Sequence, residues 1–387
     1  MRILIVTDTP RQWESGGSGV LLNHARELEK LGHSVECWFD DDILTKPVRP
    51  QRFKTLIVAL LVARRILRAR DKYDVVDIQT PVGCLYGAWR RFFGKRGTPP
   101  YVFTMQGIVE RHAHVMRREN SKGRAWNFSW KNRLWFRLYH QTMYDWSIKV
   151  ADFGVASNRE AWTYPELKHD CEPSRLWYLP NGVEERFFIQ HDYRNNGTIR
   201  LLFVGTWLDR KGIYYLCEAF QRLAQQRPDV ELTVAGCLSR EDDVIQFFAP
   251  EIRGKVRVIP FVKRDDILAI YADHDIFVFP SLMEGMPLSL LEAMATAMPV
   301  VTTETCGMAD VVEDGFNGLL VPPANTEKLV AAVERLCQSS ELRERLGREA
   351  QQTMRRYTWV RVTQKLEMVL ALATQQAELS VKGKKPE

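Results

Sequence analysis

At 387 residues the chain is too long for one ordinary core and implies about two domains. Its composition, 45% hydrophobic and 26% charged, is that of a soluble globular protein. The longest apolar run, TLIVALLVA at 55–63, is roughly half a bilayer span and stops at Arg64 and Arg65, which excludes a transmembrane helix.

The net charge of +6 is unevenly spread: residues 1–190 carry 30 Lys and Arg against 21 Asp and Glu, and the remainder carries 24 against 27. Within the basic half, residues 86–137 hold 12 cations and 2 acids, interleaved with Trp89, Phe92, Phe93, Trp126, Phe128, Trp130, Trp135 and Phe136. Such a patch seeks an anionic partner. No nucleic-acid module accompanies it, so nucleic acid is set aside. The seven cysteines are scattered and include no CxxC pair, which fits free thiols in a reducing compartment and gives no zinc-ligand spacing. The opening MRILIVTDTP reads as a first strand rather than a signal peptide, which points to the cytoplasm.

In chain order, short β-branched runs alternate with helical patterns, the mark of βαβ units and parallel sheets. Strands are expected at 2–7, 34–39, 75–79, 101–105, 153–156 and 177–179, with helices between them. A glycine loop, SGGSG at 15–19, follows the first strand. The pattern restarts at RLLFVGTWL (200–208), with a helix at 213–225 and strands at 231–235, 256–260, 276–279, 300–303 and 319–321. Two Rossmann-like sheets in series result. This divides the chain into an N-terminal domain at 1–190, a linker at 191–198 (HDYRNNGT) and a C-terminal domain at 199–355. Helices follow at 326–338 and 356–378, and a disordered tail at 379–387.

Three stretches carry candidate chemistry. Gly16 and Gly17 allow close backbone approach at a helix start, which is either an anion contact or a plain βα turn. FVGTWLDRKG (203–212) ends a strand at Gly205 and presents Arg210 and Lys211 at a helix start, as a diphosphate clamp or a solvated basic turn. In EGMPLSLLEA (284–293), Pro287 sets a helix beginning near 285–287 and ending at Met298. Glu284 then lies in the loop and Glu292 in the second turn, with the N–H groups of Gly285, Met286 and Leu288 at the positive helix end. Glu292 among Leu290, Leu291, Ala293 and Met294 either accepts ligand hydroxyls or faces water.

Together with YLPNGVEERFF (178–188), PSLMEGMPLSLLEAMATAMPVV and DGFNGLLVPPAN (314–325), these motifs resemble the retaining nucleotide-sugar glycosyltransferases of group 1 with a Glu-(seven residues)-Glu motif. The resemblance implies an α/β GT-B fold, two doubly wound Rossmann-like domains facing a central cleft, with the 356–378 helix packing back on the N-terminal domain. It implies transfer of a sugar from a nucleotide-diphosphate sugar to a glycan or lipid-linked acceptor in cell-envelope polysaccharide or glycolipid synthesis. Glu292 would bind the donor ribose and Glu284 the donor sugar, with the backbone of Gly285, Met286 and Leu288 and the ring of Pro287 beside them. Lys211, Arg210, Gly205, Thr206, Gly16 and Gly17 would surround the diphosphate. No metal or other cofactor would be needed, since cations and helix ends stabilise the leaving group. The attack would be front-face, with the departing phosphate taking the acceptor proton as the domains close.

Two positions depart from the family pattern. Thr206 stands where Arg is common, and Gln106 stands where a histidine near the donor sugar is common; Gln106 is kept as a catalytic-site residue that hydrogen-bonds a sugar hydroxyl but cannot act as a base. His112 and His114 just downstream are candidates for the acceptor side. The basic N-terminal domain, with the arginine-rich stretch 53–70, suits an anionic membrane surface, hence a cytoplasmic protein peripheral to the membrane's inner face. A non-catalytic sugar-nucleotide-binding protein and a sugar-nucleotide epimerase of the same fold are the alternative readings.

Overall fold

The computed structural model describes residues 1–12, 16–44, 46, 48–95, 97–123, 134–193 and 197–381. Within them the chain divides into two compact units, one drawn from 1–110, 129–181 and 359–387, the other from 111–128 and 182–358. Of the sequence features above, Ser15, Trp126, Phe128, Trp130, residues 194–196 and the tail beyond 381 lie outside the described residues.

The first unit is built on β1 (Arg2–Val6), α1 (Gly16–Lys30), β2 (Ser34–Trp38), the short α2 (Asp40–Ile43), α3 (Lys54–Arg68), β3 (Val75–Gln79), α4 (Cys84–Phe93) and β4 (Tyr101–Met105). After α5 (Val109–Ser121) come α6 (Thr142–Val150), β5 (Phe153–Ala156), α7 (Arg159–His169) and β6 (Leu176–Tyr178). The six strands are all parallel in the order β2-β1-β3-β4-β5-β6. An all-parallel sheet is covered on both faces, which is why RILIV is apolar throughout after Arg2. The strand period of two sends Leu4 and Val6 into a core with α3, α4 and α6, while Ile3 and Ile5 meet α1 and the last helix, Trp359–Val381. That last helix presents Val362, Leu366, Val369 and Leu370 at helical spacing, and Thr363 Oγ1 lies 2.9 Å from His24 Nδ1. Residues 379–381, expected in a disordered tail, are its final turn.

The second unit runs through β7 (Ile199–Val204), α8 (Ile213–Gln226), β8 (Val230–Ala235), α9 (Glu241–Ile245), β9 (Val256–Ile259), α10 (Ile267–Ala272), β10 (Ile276–Phe279) and α11 (Leu288–Ala295). It continues with β11 (Val300–Thr303), α12 (Cys306–Val311), β12 (Leu319–Val321), α13 (Thr326–Gln338) and α14 (Ser340–Met354). Its parallel order, β12-β11-β10-β7-β8-β9, turns back between β7 and β10, and such a switch point is where open α/β sheets bind ligands. Helix α14 is absent from the sequence reading: its EL–ER–L pattern is diluted by charge, and only Ser339, whose hydroxyl accepts from the Leu342 N–H at 3.1 Å, marks its start.

Residues 111–123, placed by sequence in the N-terminal domain, count with the second unit. The cause is a buried polar anchor: Tyr215 on α8 donates its hydroxyl to the Glu119 carboxylate at 2.9 Å, and Lys122 lies 3.1 Å from the same group. The second unit also begins earlier than 199, because Val183 donates to the Tyr357 carbonyl at 2.8 Å and Phe187 is fully buried in its core. None of the described helices is long and apolar enough to cross a membrane.

Candidate functional site

The turn after β7 and the turn after β10 meet at the switch point of the second sheet. Asp209–Lys211 form one turn of 3-10 helix closed by Gly212 at φ +74. Gly212 is obligatory for two reasons: the left-handed backbone, and Pro280, whose carbonyl oxygen would lie 2.0 Å from an added Cβ. The Arg210 carbonyl then accepts from the Leu282 N–H at 2.8 Å and from Ser281 Oγ at 3.0 Å. The two turns are thereby fixed to each other, and so are the side chains they carry.

Glu284 is the focus. Its Oε1 accepts from Arg210 at 2.5 Å, from Lys211 Nζ at 2.9 Å and from Ser281 Oγ at 3.1 Å. Its Oε2 accepts from none of the described residues. Burial alone would raise this carboxyl, but the neighbouring Lys211 and Arg210 outweigh it and hold Glu284 below the ordinary range. Lys211 is itself pulled down by burial against the opposing pull of Glu284, with its ammonium 4.9 Å from the Phe279 ring centre. One carboxylate oxygen is thus locked and the other is free to accept from ligand hydroxyls.

Helix α11 begins at Leu288 and ends at Ala295, shorter at both ends than the sequence pattern suggests. Pro287 is its N-cap, in extended backbone, and Ala297 turns the chain at φ +59 before Pro299. The N–H groups of Gly285 and Leu288 donate to none of the described residues. Gly285 is met by α12, since an added Cβ on Gly307 would sit 1.9 Å from the Gly285 carbonyl oxygen. Glu292 lies in the second turn of α11, where Tyr271 donates to Oε2 at 2.9 Å and Oε1 has no partner among the described residues. Burial pushes its carboxyl up to about 7, Tyr271 opposes this, Glu184 adds to it, and Arg186 and Arg264 pull it back.

The other predicted residues are placed as follows. Gly205, at φ +151, directly follows β7 and lies against Lys211, and Thr206 comes next, partly exposed. His112 on α5 feels the charges of Arg210 and Glu284; burial and then Arg210 lower its pKa, with Glu284 opposing. His114, two residues on, is exposed. In the first unit, Gly16 and Gly17 open α1, where an added Cβ would meet nothing within 4 Å. Gln106 follows β4, and its carbonyl accepts from Ser157 Oγ at 3.2 Å.

Sequence reading missed Ser281, Tyr271 and the Arg111–Thr305 hydrogen bond of 3.3 Å. Ser281 had a usable signal, its position three residues before Glu284, but Tyr271 and Arg111 come from distant elements and had none.

Residues 185–353 match the family model described as glycosyl transferases group 1. Among curated relatives, Alpha-D-kanosaminyltransferase of Streptomyces kanamyceticus is 31% identical over 39% of this chain and 39% of its own. Amylovoran biosynthesis glycosyltransferase AmsK of Erwinia amylovora is 29% identical over 46% of each. The matched part of the chain thus spans less than half the length of these relatives. Among solved structures, WaaG, a glycosyltransferase involved in lipopolysaccharide biosynthesis, superposes with a TM-score of 0.74 at 16% identity, covering 95% of this chain and 99% of its own. Anabaena HepE in complex with UDP-glucose gives 0.69 at 17% identity, covering 96% and 100%. The chain therefore has the α/β fold of the GT-B glycosyltransferases and carries, in residues 185–353, the segment shared by the group 1 glycosyl transferases.

Proposed function

We propose that the protein is a retaining glycosyltransferase that moves a hexosyl group from a nucleoside-diphosphate sugar to a glycan or lipid-linked acceptor of cell-envelope polysaccharide or glycolipid synthesis. The observation that carries this is the Glu284 carboxylate, with one oxygen held by Arg210, Lys211 and Ser281 and the other open at the switch point. The free oxygen accepts donor-sugar hydroxyls, and Lys211 and Arg210 face the diphosphate. Glu292 takes the ribose through its unpartnered Oε1, 2.9 Å being the Tyr271 bond on the other oxygen. HepE, solved with UDP-glucose, supports a nucleotide-sugar donor, and WaaG of lipopolysaccharide biosynthesis and AmsK of amylovoran biosynthesis support an envelope product.

In this reading the reaction needs no resident metal. The glycosidic bond to the diphosphate breaks on the face where the acceptor hydroxyl attacks, and the departing phosphate oxygen takes the hydroxyl proton. Lys211, Arg210 and the N–H groups of Gly285 and Leu288 stabilise the charge that develops on that phosphate. Gln106, which cannot act as a base, is left to bind a hydroxyl, and Gly16–Gly17 leave room for an anion at the start of α1.

The acceptor is proposed to be reached at an anionic membrane surface. On the first unit, α4 and α6 expose Phe92 (68%), Phe93 (75%) and Trp146 (44%), with Phe92 and Trp146 in ring contact and Arg91, Lys95 and Lys149 exposed around them. Exposed aromatics rimmed by cations fit the interfacial zone of a bilayer. The deciding experiment is a thermal-shift screen of UDP-, GDP- and ADP-sugars, followed by NMR of the product's anomeric configuration. A donor that raises Tm in the wild type and is turned over with retention supports the proposal. Inversion, or turnover surviving in Glu284→Ala, overturns it.

A further inference from the structure

Two contacts fix helix α5 on the second unit, with which its residues from Arg111 onward are grouped. At its start the Arg111 guanidinium donates to Thr305 Oγ1 at 3.3 Å, and Thr305 is the N-cap residue of α12, whose Gly307 packs on the Gly285 carbonyl. Near its end Glu119 accepts from the Tyr215 hydroxyl at 2.9 Å, and Tyr215 lies in the first turn of α8, which follows the Arg210–Lys211 turn. The helix therefore runs from the loop that carries Glu284 to the helix that follows the two cations.

Register decides which way His112 faces. Residues seven apart on an α-helix share a face and lie about 10 Å apart along its axis. His112 is thus on the face of Glu119, the face turned to the second unit, two turns nearer the Thr305 end. The charges of Arg210 and Glu284 both act on its ring there. His114 lies on another face and is exposed.

The His112 ring is half-buried and hydrogen-bonded to none of the described residues. Polar atoms withdrawn from water are otherwise nearly always paired. Burial and then Arg210 lower its pKa, with Glu284 opposing, so at neutral pH one ring nitrogen donates and the other accepts. Its neighbour Glu284 has Oε1 taken by Arg210, Lys211 and Ser281, and Oε2 bonded to none of the described residues. A carboxylate oxygen only accepts, whereas a neutral imidazole can donate, so one hydroxyl can join the two by giving a hydrogen bond to the first and taking one from the second. A phosphate oxygen has no hydrogen to offer Glu284. The pair therefore suits a sugar hydroxyl, and the diphosphate is left to the cations.

We propose that His112 is a specificity-determining residue for the donor, its ring hydrogen-bonding a hydroxyl of the transferred sugar that itself donates to Glu284 Oε2. Arg111 and Glu119 are positioning residues, holding α5 so that the ring stays beside Glu284. His112, expected from sequence on the acceptor side, is thereby assigned to the donor side. The assignment rests on the transferase reading above. A site built to bond a hydroxyl discriminates strongly against a ligand that lacks it, because its own polar groups are then left unpaired.

The test is titration calorimetry on the full chain with UDP-glucose, UDP-galactose, UDP-N-acetylglucosamine, GDP-mannose and ADP-glucose, each beside its free nucleoside diphosphate. The nucleotide sugar that binds the wild type most tightly is then titrated into His112→Ala, His112→Asn and His112→Gln. His112→Ala is expected to bind it about tenfold more weakly, on the scale of one lost hydrogen bond, and to bind the nucleoside diphosphate as the wild type does, which also shows it folded. One of the two amide variants, which keep a donor and an acceptor near the place of one ring nitrogen or the other, is expected to restore most of the loss. His112→Phe, which keeps the bulk of the ring, replaces the alanine variant if that fails to fold. Equal nucleotide-sugar affinity in the wild type and His112→Ala, an equal loss for the nucleoside diphosphate, or restoration by neither amide overturns the assignment and leaves the transferase reading standing. Binding of none of these nucleotide sugars to the wild type removes the transferase reading, and the assignment with it.

Discussion

Lys211 Nζ stands 2.9 Å from Glu284 Oε1, and both side chains are about nine-tenths withdrawn from solvent. Removing one partner of a buried pair costs about 3–5 kcal/mol, because the other is left charged in a poor solvent. Arg210 remains on Glu284 in Lys211→Ala, so the expected loss for that variant is at the lower end, about 3 kcal/mol by urea unfolding. Turnover of the donor should fall about 10²–10³-fold, the scale of removing one group that stabilises developing charge. In Lys211→Ala/Glu284→Ala the stability losses should fall short of additive, since neither charge is then left alone. Additive losses would show that the two are not coupled.

Glu292 gives a pH-dependent signature. Its pKa in the folded chain is raised from 4.5 to about 7, so the folded state holds a proton that the unfolded state releases. The stabilisation is present in full below pH 4.5 and is lost as the pH rises through 7, for a change of about 3 kcal/mol by linkage. Glu292→Gln removes this term, so the variant should gain stability over the wild type at pH 8 and lose the advantage by pH 5. Donor affinity should behave oppositely. A carboxylate accepts two ribose hydroxyls better than a carboxylic acid does, so binding to the wild type should weaken as pH falls from 8 to 6 and be flat in Glu292→Gln. Urea unfolding at pH 8 and 5 checks the stability arm, and titration calorimetry at pH 8 and 6 checks the binding arm.

Much of this was legible in the chain, for identifiable reasons. Parallel strands buried on both faces leave dense β-branched runs, so IRLLFV and IFVF could be placed within a residue or two. Glycines forced by close approach also show in the sequence: Gly212 stands in RKG because Pro280 allows no side chain there. The Arg210–Lys211 and Glu284 pairing was only half legible. Both segments were singled out, but for separate parts of a ligand, the sugar and the diphosphate, and their direct ion pairs needed coordinates. Spacing could not show that α5 would belong with the second unit, since Glu119 and Tyr215 are 96 residues apart and neither has a distinctive neighbourhood. Nor does the sequence single out Asp40, for the same reason: DDD after a strand looks exposed until Lys54 is seen on it.

The Glu119–Tyr215 anchor makes its own prediction. Glu119 is 2% exposed, and its hydrogen bonds come from Tyr215 and Lys122. Tyr215→Phe leaves a buried carboxylate with one donor fewer, at about 1–3 kcal/mol. Glu119→Gln keeps the shape and removes the charge, so it should cost less than Tyr215→Phe. The same helix carries His112 toward Arg210 and Glu284. Protease cleavage near residues 111–123 should therefore rise in Tyr215→Phe before global unfolding does, and equal protection in the variant and the wild type would contradict the anchor.

The exposed rings of α4 and α6 make the last prediction. Phe92 and Phe93 sit at the end of α4 with Gly94 capping it, and Trp146 faces Phe92 at 6.5 Å. Burying one such ring is worth about 1.5–3 kcal/mol, and each cation near an anionic surface adds about 1 kcal/mol. Vesicles of phosphatidylcholine with about a third phosphatidylglycerol should therefore sediment the protein at low salt, and pure phosphatidylcholine should not. Phe92→Ser/Phe93→Ser should lower the bound fraction at least tenfold without lowering Tm, because neither ring is buried in the core. Arg91→Glu should act mainly on the salt dependence, since it changes charge and leaves the apolar contact intact. Sedimentation that is equal with and without anionic lipid, or unchanged in the double serine variant, would show that this face meets something other than a bilayer.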